Sequence, residues 1–337
     1  MYLSLLNENI NEVKEKYKNK PFFVYLSLTN ACNANCVFCD VRQNKEKLCS
    51  IDVYKLIDEL ADLGTKYIHF TGGGEPFMDN NIVSYMQYAS SKGLEIIFIT
   101  NGFLLKNQIN KLVNVNLKAV FVSIDSSDPK VHNKLRRTNN LFENLSNGIY
   151  ELKKVKPLVK ITLNHVINSE NIDHFEDFIK LKEKINFDFI NPILIKDCKE
   201  LTPTKKQIAT FNQNKQHYLD LIKKYNINLL CEDLNIFNEN IDENGARLQN
   251  DDMRCFFANF AAFIDCPTGL VYPCDCSIHR DRILYCLGDL HKASFKEIWN
   301  DNKRKKLLVD LNNGKLNCKA KCDEANCIFN RCYLKED

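Results

Sequence analysis

Three cysteines lie close together near the start of the chain, in the segment Cys32-Asn-Ala-Asn-Cys36-Val-Phe-Cys39. Thiolates are soft ligands that bind zinc or iron–sulfur clusters. A structural zinc site needs four ligands, usually in two C-x₂₋₄-C pairs, whereas three cysteines can hold three corners of a cubane and leave one iron open. The x₃ and x₂ spacing therefore favours a cluster with an open iron, while a zinc knuckle or three buried thiols stay open as alternatives.

Three further motifs follow predicted strands and carry glycine or short polar side chains. They are Thr71-Gly72-Gly73-Gly74-Glu75-Pro76, Thr100-Asn101-Gly102 and Ser123-Ile124-Asp125. Glycine lets the backbone approach a ligand closely, and the carboxyl ends of parallel strands meet at one edge of a sheet. The motifs together predict a ligand site at that edge, although each one alone is typical of a turn or a loop cap.

The cysteine motif and the glycine motif, in this order, resemble the radical S-adenosylmethionine (SAM) superfamily. Its hallmark is C-x₃-C-x₂-C with an aromatic residue before the last cysteine, which is Phe38 here. The resemblance implies that Cys32, Cys36 and Cys39 hold a [4Fe-4S] cluster whose open iron binds SAM. One electron would cleave SAM to methionine and a 5′-deoxyadenosyl radical, which removes hydrogen from a C–H bond.

The resemblance also implies which residues contact SAM. These residues are Phe38, Gly73, Gly74, Glu75, Asn101, Ser123 and Asp125. The glycines and the glutamate would hold the SAM ammonium group, and the serine and aspartate would meet the ribose hydroxyls. A flavodoxin- or ferredoxin-type protein is the expected electron donor.

Nine of the fifteen cysteines lie between Cys255 and Cys332. Their arrangement resembles the SPASM extension of radical SAM enzymes, in which a cysteine, a hairpin glycine and a second cysteine precede a late cysteine quartet. The first three of these are Cys255, Gly269 and Cys274. The quartet here has x₃, x₄ and x₄ spacings in place of the usual x₂, x₅ and x₃. A single-cluster "twitch" version and a zinc-ribbon-like site therefore stay open.

The resemblance implies one or two auxiliary [4Fe-4S] clusters. The first would be held by Cys255, Cys266, Cys274 and Cys332. The second would be held by Cys318, Cys322 and Cys327, with Cys276 or Cys286 as the fourth ligand or with an open iron.

Alternating apolar runs and helix-period segments predict repeated βα units from residue 22 to about residue 230. The candidate strands are Phe22–Leu28, Tyr67–Thr71, Glu95–Thr100, Ala119–Ile124, Val159–Val166 and Phe187–Ile193. These units fit a partial (β/α)6 TIM-like barrel better than a three-layer Rossmann sheet. In such a barrel the active site lies at the carboxyl ends of the strands.

The expected domains are an N-terminal lead-in (1–21), the radical SAM barrel (22–231), a linker rich in Asn, Asp and Glu (232–252) and a small cysteine-rich SPASM/twitch-like domain (253–337). The last domain should contain a hairpin, formed by Phe260–Asp265 and Leu270–Tyr272. Single long helices are expected from Thr202-Pro203 to Tyr225 and from Phe295 to about Leu311.

Charge and hydropathy argue against two classes of protein. The 46 Lys and Arg against 43 Asp and Glu leave a net charge of +3, which is small for a dedicated nucleic-acid binder. No run of about 18 apolar residues occurs, so no membrane span is predicted. The first apolar stretch is too short for a signal peptide, and we expect an oxygen-sensitive cytoplasmic enzyme.

The expected activity is hydrogen abstraction from a small metabolite of the sugar or aminocyclitol type, giving oxidation or epimerisation. Only some 21 residues precede the first predicted strand, which leaves no room for an N-terminal peptide-recognition domain. A peptide maturase that makes a cross-link, an oxidation or an epimerisation is the alternative. A zinc-stabilised interaction protein is a more remote one.

Cys198 follows the sixth predicted strand and belongs to neither cysteine group. A thiol there could return a hydrogen atom to a substrate radical and make the enzyme an epimerase. The alternative is a small buried packing residue. Cys49 and Cys231 are weaker candidates for the same role.

Overall fold

The computed structural model describes residues 5–39, 48–195, 198–230, 234, 254–279 and 281–316, with the backbone alone at residues 276 and 279. Its main element is a sheet in which six parallel strands follow one another in chain order. These strands are β1 (Phe23–Ser27), β2 (Tyr67–Thr71), β3 (Glu95–Thr100), β4 (Leu117–Ser123), β5 (Lys160–Ile167) and β6 (Phe189–Leu194).

Each connection between two of these strands contains at least one helix. In chain order the helices are α1 (Ile10–Lys16), α2 (Val53–Asp62), α3 (Ile82–Ser91), α4 (Leu105–Leu112), α5 (Pro129–Arg136), α6 (Leu141–Val155), α7 (Phe175–Lys180), α8 (Lys205–Gln213), α9 (Lys215–Lys224), α10 (Phe295–Asn300) and α11 (Asn302–Asn312). Parallel strands that follow one another in chain order, each joined to the next through a helix, are repeated βα units, and this pattern is the predicted partial (β/α)6 barrel.

The strands form because their side chains are apolar and buried on both faces. All five residues of β1 are buried, and so are Ile96, Ile97 and Phe98 of β3. Continuous apolar runs of this length are typical of parallel strands covered on both sides. The helices bury one face each, as in α2, where Leu56 and Leu60 point into the core.

Two helices that the sequence predicted as single are broken in the structure. The long one divides at Asn214 into α8 and α9, and it begins later than predicted because Thr204 and Gln207 form a capping box. The C-terminal one divides at Asp301, whose extended backbone ends α10 and whose side chain caps α11. A side chain that accepts backbone N–H groups favours a new helix start over continuation.

The predicted hairpin is present as β8 (Ala261–Asp265) and β9 (Leu270–Tyr272), after the short strand β7 (Asn228–Leu229) and before β10 (Gly288–Asp289). Strand β8 pairs in parallel with β1, so the sheet continues from the barrel into the C-terminal module. The domain boundaries near residues 231 and 253 lie outside the described residues and stay a prediction.

Candidate active site

The three N-terminal cysteines lie in the loop that follows β1, at the carboxyl edge of the sheet. Cys36 is buried, and Cys32 and Cys39 are half-buried. Among the described residues, no three Cys, His, Asp or Glu side chains converge tightly enough to hold a single metal ion. The loop therefore places three thiols at the expected edge of the sheet, but they are not arranged to bind a single metal ion.

The cysteine loop is fastened to the end of α5 by backbone hydrogen bonds. The N–H of Asn35 donates to the carbonyl of Arg136 at 3.1 Å, and the N–H of Val37 donates to the carbonyl of Leu135 at 2.9 Å. These carbonyls belong to the last turn of the helix, where intrahelical partners are lacking. The N–H groups of the loop thus supply hydrogen bonds to carbonyls that the helix end leaves without partners.

The glycine motif packs directly against the other side of this loop. The N–H of Gly74 donates to the carbonyl of Thr29 at 3.0 Å, and that of Glu75 donates to the carbonyl of Ala31 at 2.9 Å. A Cβ atom on Gly74 would lie 2.0 Å from the Ala31 carbonyl oxygen. Glycine is therefore required at this position by the approach of two backbone segments, in addition to any contact with SAM.

Glu75 is completely enclosed and joins the end of β2 to the end of β3. Its carboxylate accepts the Thr100 hydroxyl at 2.7 Å, the Asn101 N–H at 2.7 Å and the Phe77 N–H at 3.3 Å. Burial raises the pKa of Glu75 to about 7, although these hydrogen bonds act in the opposite direction. The implied contact with the SAM ammonium group stays a prediction, since protein donors already use this carboxylate.

Asn101 extends the same connection into the cysteine loop. Its side-chain amide donates to Oδ1 of Asn33 at 2.7 Å, and its own Oδ1 accepts from the N–H of Phe103 at 2.9 Å. The Nδ2 of Asn33 is buried without a hydrogen-bond partner. A buried donor that lacks an acceptor is costly, so a bound group with a hydrogen-bond acceptor would satisfy this atom.

Asp125 is fully buried at the end of β4 and forms an ion pair with Arg136. The Nε and Nη2 atoms of Arg136 lie 2.6 and 3.1 Å from the two carboxylate oxygens, and the Val166 N–H donates to one of them at 3.2 Å. Burial alone would raise the pKa of Asp125, but the charge and hydrogen bonds of Arg136 outweigh it and lower that pKa. The implied ribose contact of Asp125 stays a prediction that this geometry does not favour.

Arg136 is a site residue that the sequence analysis missed. Its Nη1 lies 3.7 Å from Sγ of Cys36, and its guanidinium lies 5.3 Å from the ring centroid of Phe38. Burial opposes its charge, but Asp125 and Cys36 hold its pKa above the ordinary value. No local signal marks Arg136, because its partners come from distant parts of the chain.

A row of neutral polar side chains crosses three neighbouring strands, at the last residue of β4 and within β5 and β6. Ser123 of β4 is half-buried and pairs in register with Asn164 of β5, which pairs with Asn191 of β6. The Asn191 amide donates to Oδ1 of Asn164 at 2.8 Å. The two asparagines interrupt otherwise apolar strands, a signal in the sequence that the prediction did not use. Gly73 follows β2, and its N–H donates at 3.2 Å to the hydroxyl of Ser27, the last residue of β1.

Cys198 is half-buried after β6, with its sulfur 3.7 Å from a carboxylate oxygen of Glu200. It packs against a small apolar cluster that also contacts Phe38, next to the last cysteine of the loop. Cys198 and Phe38 thus pack against the same apolar cluster, and the role of Cys198 as a hydrogen donor stays a prediction. Cys231 lies outside the described residues.

The cysteines of the C-terminal module divide between the two ends of the hairpin. The register pairs Phe263 with Tyr272, so Cys274 lies at the open end, while Cys266 lies in the turn. The five residues of β8 separate these ends by roughly 16 Å at about 3.3 Å per residue. This separation does not favour Cys266 and Cys274 as ligands of one cubane, and their predicted grouping stays a prediction.

The remaining predicted auxiliary ligands are only partly described. Cys255 is buried, and its N–H donates to the carbonyl of Leu311 at 3.0 Å. Cys286 is half-buried, and its thiol donates to the Gly288 carbonyl at 3.5 Å. Four of the predicted ligands and one side chain lie outside the described residues, namely Cys318, Cys322, Cys327, Cys332 and the side chain of Cys276.

The residues around the cysteine loop, at the carboxyl edge of the sheet, fit an iron–sulfur cluster with a bound amino-acid cofactor. The donor set is three soft thiols, and the buried cation of Arg136 next to Cys36 suits the negative charge of thiolate ligands. The unpaired amide of Asn33 can donate to an acceptor on a bound group. The fold and the site together define a class of enzyme that combines a partial barrel with a cysteine-held cluster at its carboxyl edge.

Comparison with known families agrees with this class. Residues 26–181 match the Radical SAM superfamily, and residues 255–328 match SPASM, an iron–sulfur cluster-binding domain. The chain belongs to the radical SAM superfamily and carries a SPASM domain. Its cofactors are accordingly [4Fe-4S] clusters and SAM. In the described part of the chain no helix is long and apolar enough to cross a bilayer.

Curated relatives match only part of the chain. A probable GTP 3′,8-cyclase of Sulfolobus acidocaldarius is 30% identical over 185 residues, which are 54% of this chain and 58% of that protein. An AdoMet-dependent heme synthase of Methanosarcina barkeri is 28% identical over 172 residues, 50% of this chain and 48% of that protein. The matches thus span about half the length of these relatives.

Solved structures show the same fold over most of the chain. SuiB of Streptococcus suis bound to S-adenosylmethionine has a TM-score of 0.64 at 14% identity and covers 86% of this chain and 68% of its own. The anSMEcpe enzyme with bound AdoMet has a TM-score of 0.63 at 20% identity, covering 85% and 83%. BtrN in complex with AdoMet and 2-DOIA has a TM-score of 0.51 at 15% identity, covering 90% and 92%.

Proposed function

We propose that Cys32, Cys36 and Cys39 hold the cluster that binds SAM, and that the enzyme abstracts hydrogen from a C–H bond of a sugar or aminocyclitol. When bound, the cluster and SAM supply a 5′-deoxyadenosyl radical after transfer of one electron from a flavodoxin- or ferredoxin-type donor. The observation that carries this proposal is the fastening of the cysteine loop between Arg136 and the glycine motif.

The chain's own residues would act by positioning and by excluding water. The buried ion pair of Arg136 and Asp125 places a guanidinium nitrogen 3.7 Å from the sulfur of Cys36 and so fixes the position of that thiol in the loop. Glu75 and Asn101 fix the opposite side of the loop. A radical that is reactive toward ordinary C–H bonds needs such an enclosed site, because water and solvent-exposed groups would quench it.

The substrate class is supported by the row of neutral polar side chains across β4, β5 and β6. Ser123, Asn164 and Asn191 are uncharged and have both donor and acceptor groups, although Asn191 and Asn164 already share one hydrogen bond, and such groups suit the hydroxyl groups of a polyol. BtrN, whose structure includes 2-DOIA, shares the fold. Oxidation, with electron transfer to an auxiliary cluster, and epimerisation, with hydrogen return from Cys198, are the two outcomes we propose for the substrate radical.

A peptide substrate is the second candidate. It is favoured by the likeness to SuiB bound to the precursor peptide SuiA, with a TM-score of 0.64, and to anSMEcpe with the Kp18Cys peptide, with a TM-score of 0.62. In that case the reaction would be a cross-link, an oxidation or an epimerisation on the peptide.

The cluster assignment is tested with the variant in which Cys32, Cys36 and Cys39 are all changed to Ala. Anaerobically purified protein with SAM and a chemical reductant should lose 5′-deoxyadenosine formation but keep iron in the C-terminal module. The content should be about eight irons per chain for two auxiliary cubanes and about four for one. SAM cleavage at the wild-type rate in this variant would contradict the assignment, and stoichiometric zinc in place of iron would contradict both kinds of cluster.

The substrate class is tested by isotope transfer. Aminocyclitols, sugars and peptides carrying deuterium on carbon are incubated separately with enzyme, SAM and reductant. The expected result is deuterium in 5′-deoxyadenosine from a ring C–D bond of a sugar or aminocyclitol. Transfer from peptides alone would replace the leading substrate class with the second one.

A further inference from the structure

Three exposed cations lie on one side of α5, the helix whose last turn holds the cysteine loop. Lys130 and Lys134 belong to the helix, and Arg137 follows it directly. Their spacing of four and three residues places the side chains on the same helix face. They line an open depression of about 620 Å³ together with four neutral residues of the helix end and the turn that follows. The depression is therefore positively charged.

Neighbouring carboxylates balance these charges only in part. Lys134 pairs with Glu170 at 2.8 Å, and the carboxylate of Asp128 accepts the backbone N–H of Lys130 at 2.8 Å. Within the described part of the chain, no carboxylate forms an ion pair with the ammonium group of Lys130 or the guanidinium of Arg137. Two exposed cations are thus available to a partner molecule.

The charged face lies one residue from the contacts that hold the cysteine loop. Arg137 follows Arg136, whose carbonyl accepts the N–H of Asn35 at 3.1 Å and whose Nη1 lies 3.7 Å from Sγ of Cys36. The Cα atoms of neighbouring residues are only about 3.8 Å apart. Helix α5 thus contacts the cysteine loop at its last turn and presents positive charge to solvent on its exposed face.

We propose that this positive depression is the docking surface for an acidic electron-transfer protein, the flavodoxin- or ferredoxin-type donor. The inference rests on the proposed function, in which the donor reduces the cluster held by Cys32, Cys36 and Cys39. In the docked pair the flavin or iron–sulfur centre of the donor loses one electron and that cluster gains it, and no covalent bond forms or breaks. Redox partners commonly dock over small surfaces, and complementary charges orient them and speed their encounter.

The charge distribution favours an acidic protein over a nucleic acid as the occupant. Nucleic-acid binding uses basic patches that contact many phosphates and usually gives the whole domain a strongly basic character. Here three cations are concentrated in one depression, while the net charge of the chain is only +3. A local positive surface of this kind steers an oppositely charged protein, and salt weakens the effect.

The experiment uses the anaerobic holoenzyme and a purified flavodoxin of net negative charge. The variant carries Lys130→Gln and Arg137→Gln, and the Kd for flavodoxin is measured by calorimetry at low and at high salt. At low salt we expect a roughly tenfold rise in the Kd, equal to about 1.4 kcal/mol, which two exposed ion pairs can supply. At high salt the two proteins should bind flavodoxin equally.

The rate of 5′-deoxyadenosine formation separates docking from the proposed function. With reduced flavodoxin below saturation, the variant should be slower than the wild type by the same factor as its Kd rises. With dithionite, which needs no docking surface, the two rates should be equal. A wild type that forms no 5′-deoxyadenosine with dithionite would contradict the proposed function, while the Kd values would still decide whether the depression binds the donor.

The matched control carries Lys305→Gln and Lys306→Gln, which remove the same charge from exposed positions of α11. It should keep the wild-type Kd and both wild-type rates. An unchanged Kd in the Lys130 and Arg137 variant at low salt, or weaker binding in the control alone, would overturn the proposal. So would single-stranded RNA that binds the wild type but not this variant while flavodoxin binding is unchanged. If the double variant has a lowered melting temperature, Lys130→Gln alone gives the same comparison with a smaller rise in the Kd.

Discussion

The guanidinium of Arg136 reaches the thiol of Cys36 across 3.7 Å, although the two residues are 100 positions apart in the chain. The same guanidinium holds both carboxylate oxygens of Asp125. One buried cation thus connects the end of β4, the last turn of α5 and the middle cysteine of the loop. The orientation of that cysteine depends on a pair of residues that contribute no metal ligand themselves.

Changing Arg136 to Ala should strongly destabilise the protein, because it leaves the carboxylate of Asp125 buried and unpaired. Removing one partner of a buried ion pair costs about 3–5 kcal/mol, and we expect a corresponding fall in the anaerobic melting temperature. Lys134→Ala is the matched control on the same helix. Lys134 pairs with Glu170 at 2.8 Å on the surface, and such pairs contribute at most about 1 kcal/mol.

The ion pair also predicts a pH dependence. The pKa of Asp125 is lower in the folded protein than its ordinary value of 3.8. The pair therefore stabilises the folded protein at pH values above the ordinary pKa of the carboxyl group. This stabilisation is lost as the pH falls through the lower pKa of the folded state. Equal melting temperatures for Arg136→Ala and Lys134→Ala at neutral pH would show that the ion pair is not needed for the fold.

Glu75 should give a pH dependence of the opposite sign. Its pKa is raised from 4.5 to about 7 in the folded protein, so folding favours the protonated form. Its contribution to stability is full below pH 4.5 and is lost as the pH rises through about 7, by an amount on the order of 3 kcal/mol. Glu75→Gln keeps a neutral side chain at every pH and should remove this loss.

The measurement is the melting temperature of wild type and Glu75→Gln between pH 5.5 and 8.5. The difference between them should shift in favour of the Gln variant as the pH rises. Glu170→Gln changes a half-buried carboxylate that pairs with Lys134 and should follow the wild-type profile. If Glu75→Gln also follows it, Glu75 is ionised over the whole range and burial does not control its charge.

The sequence predicted the sheet more closely than the site. Strands Tyr67–Thr71 and Glu95–Thr100 have the predicted bounds, because a continuous apolar run between turn residues is a local signal. The break at Asp301 was missed because side-chain capping overrides helix periodicity at a single position. At Asn214 the side chain caps nothing and donates back to the carbonyl of Thr210 at 3.1 Å.

The contacts that hold the cysteine loop could not be predicted from local patterns. Arg136 resembles any arginine at a helix end, and the hydrogen bond between Asn33 and Asn101 joins two loops that meet only after the sheet has formed. Cys49 belongs to neither cysteine group by spacing, yet its neighbour Ser50 donates to the carbonyl of Cys266. Residue type and spacing thus predict which thiols are available, and the tertiary fold decides which of them meet.

Gly74→Ala should displace the cysteine loop. The added Cβ would lie 2.0 Å from the carbonyl oxygen of Ala31, and both atoms belong to backbone segments that cannot turn aside. We expect at least a tenfold fall in the rate of 5′-deoxyadenosine formation and a loss of iron from the N-terminal site. A free-energy change of about 1.4 kcal/mol is enough for a tenfold effect.

Gly93→Ala is the control for this prediction. Gly93 has a φ of +84° and nothing within 4 Å of the added Cβ, so its cost is backbone strain of roughly 1–2 kcal/mol. This variant should melt at a lower temperature but keep its iron and its rate of SAM cleavage. An unchanged rate and iron content in Gly74→Ala would show that the two backbone segments can separate without loss of the cluster.

Given the proposed function, the Cys198→Ala variant distinguishes two fates of the substrate radical, which are hydrogen return from a thiol and oxidation. Cys198 is half-buried and shares an apolar cluster with Phe38, beside the last cysteine of the loop. If its thiol returns a hydrogen atom, turnover in deuterated water should place one solvent deuterium in the product, since thiol protons exchange with solvent. The variant should lose that deuterium and the epimerised product while still forming 5′-deoxyadenosine. If the variant gives the wild-type product at the wild-type rate, the thiol is a packing residue, and oxidation through an auxiliary cluster becomes the expected end of the reaction.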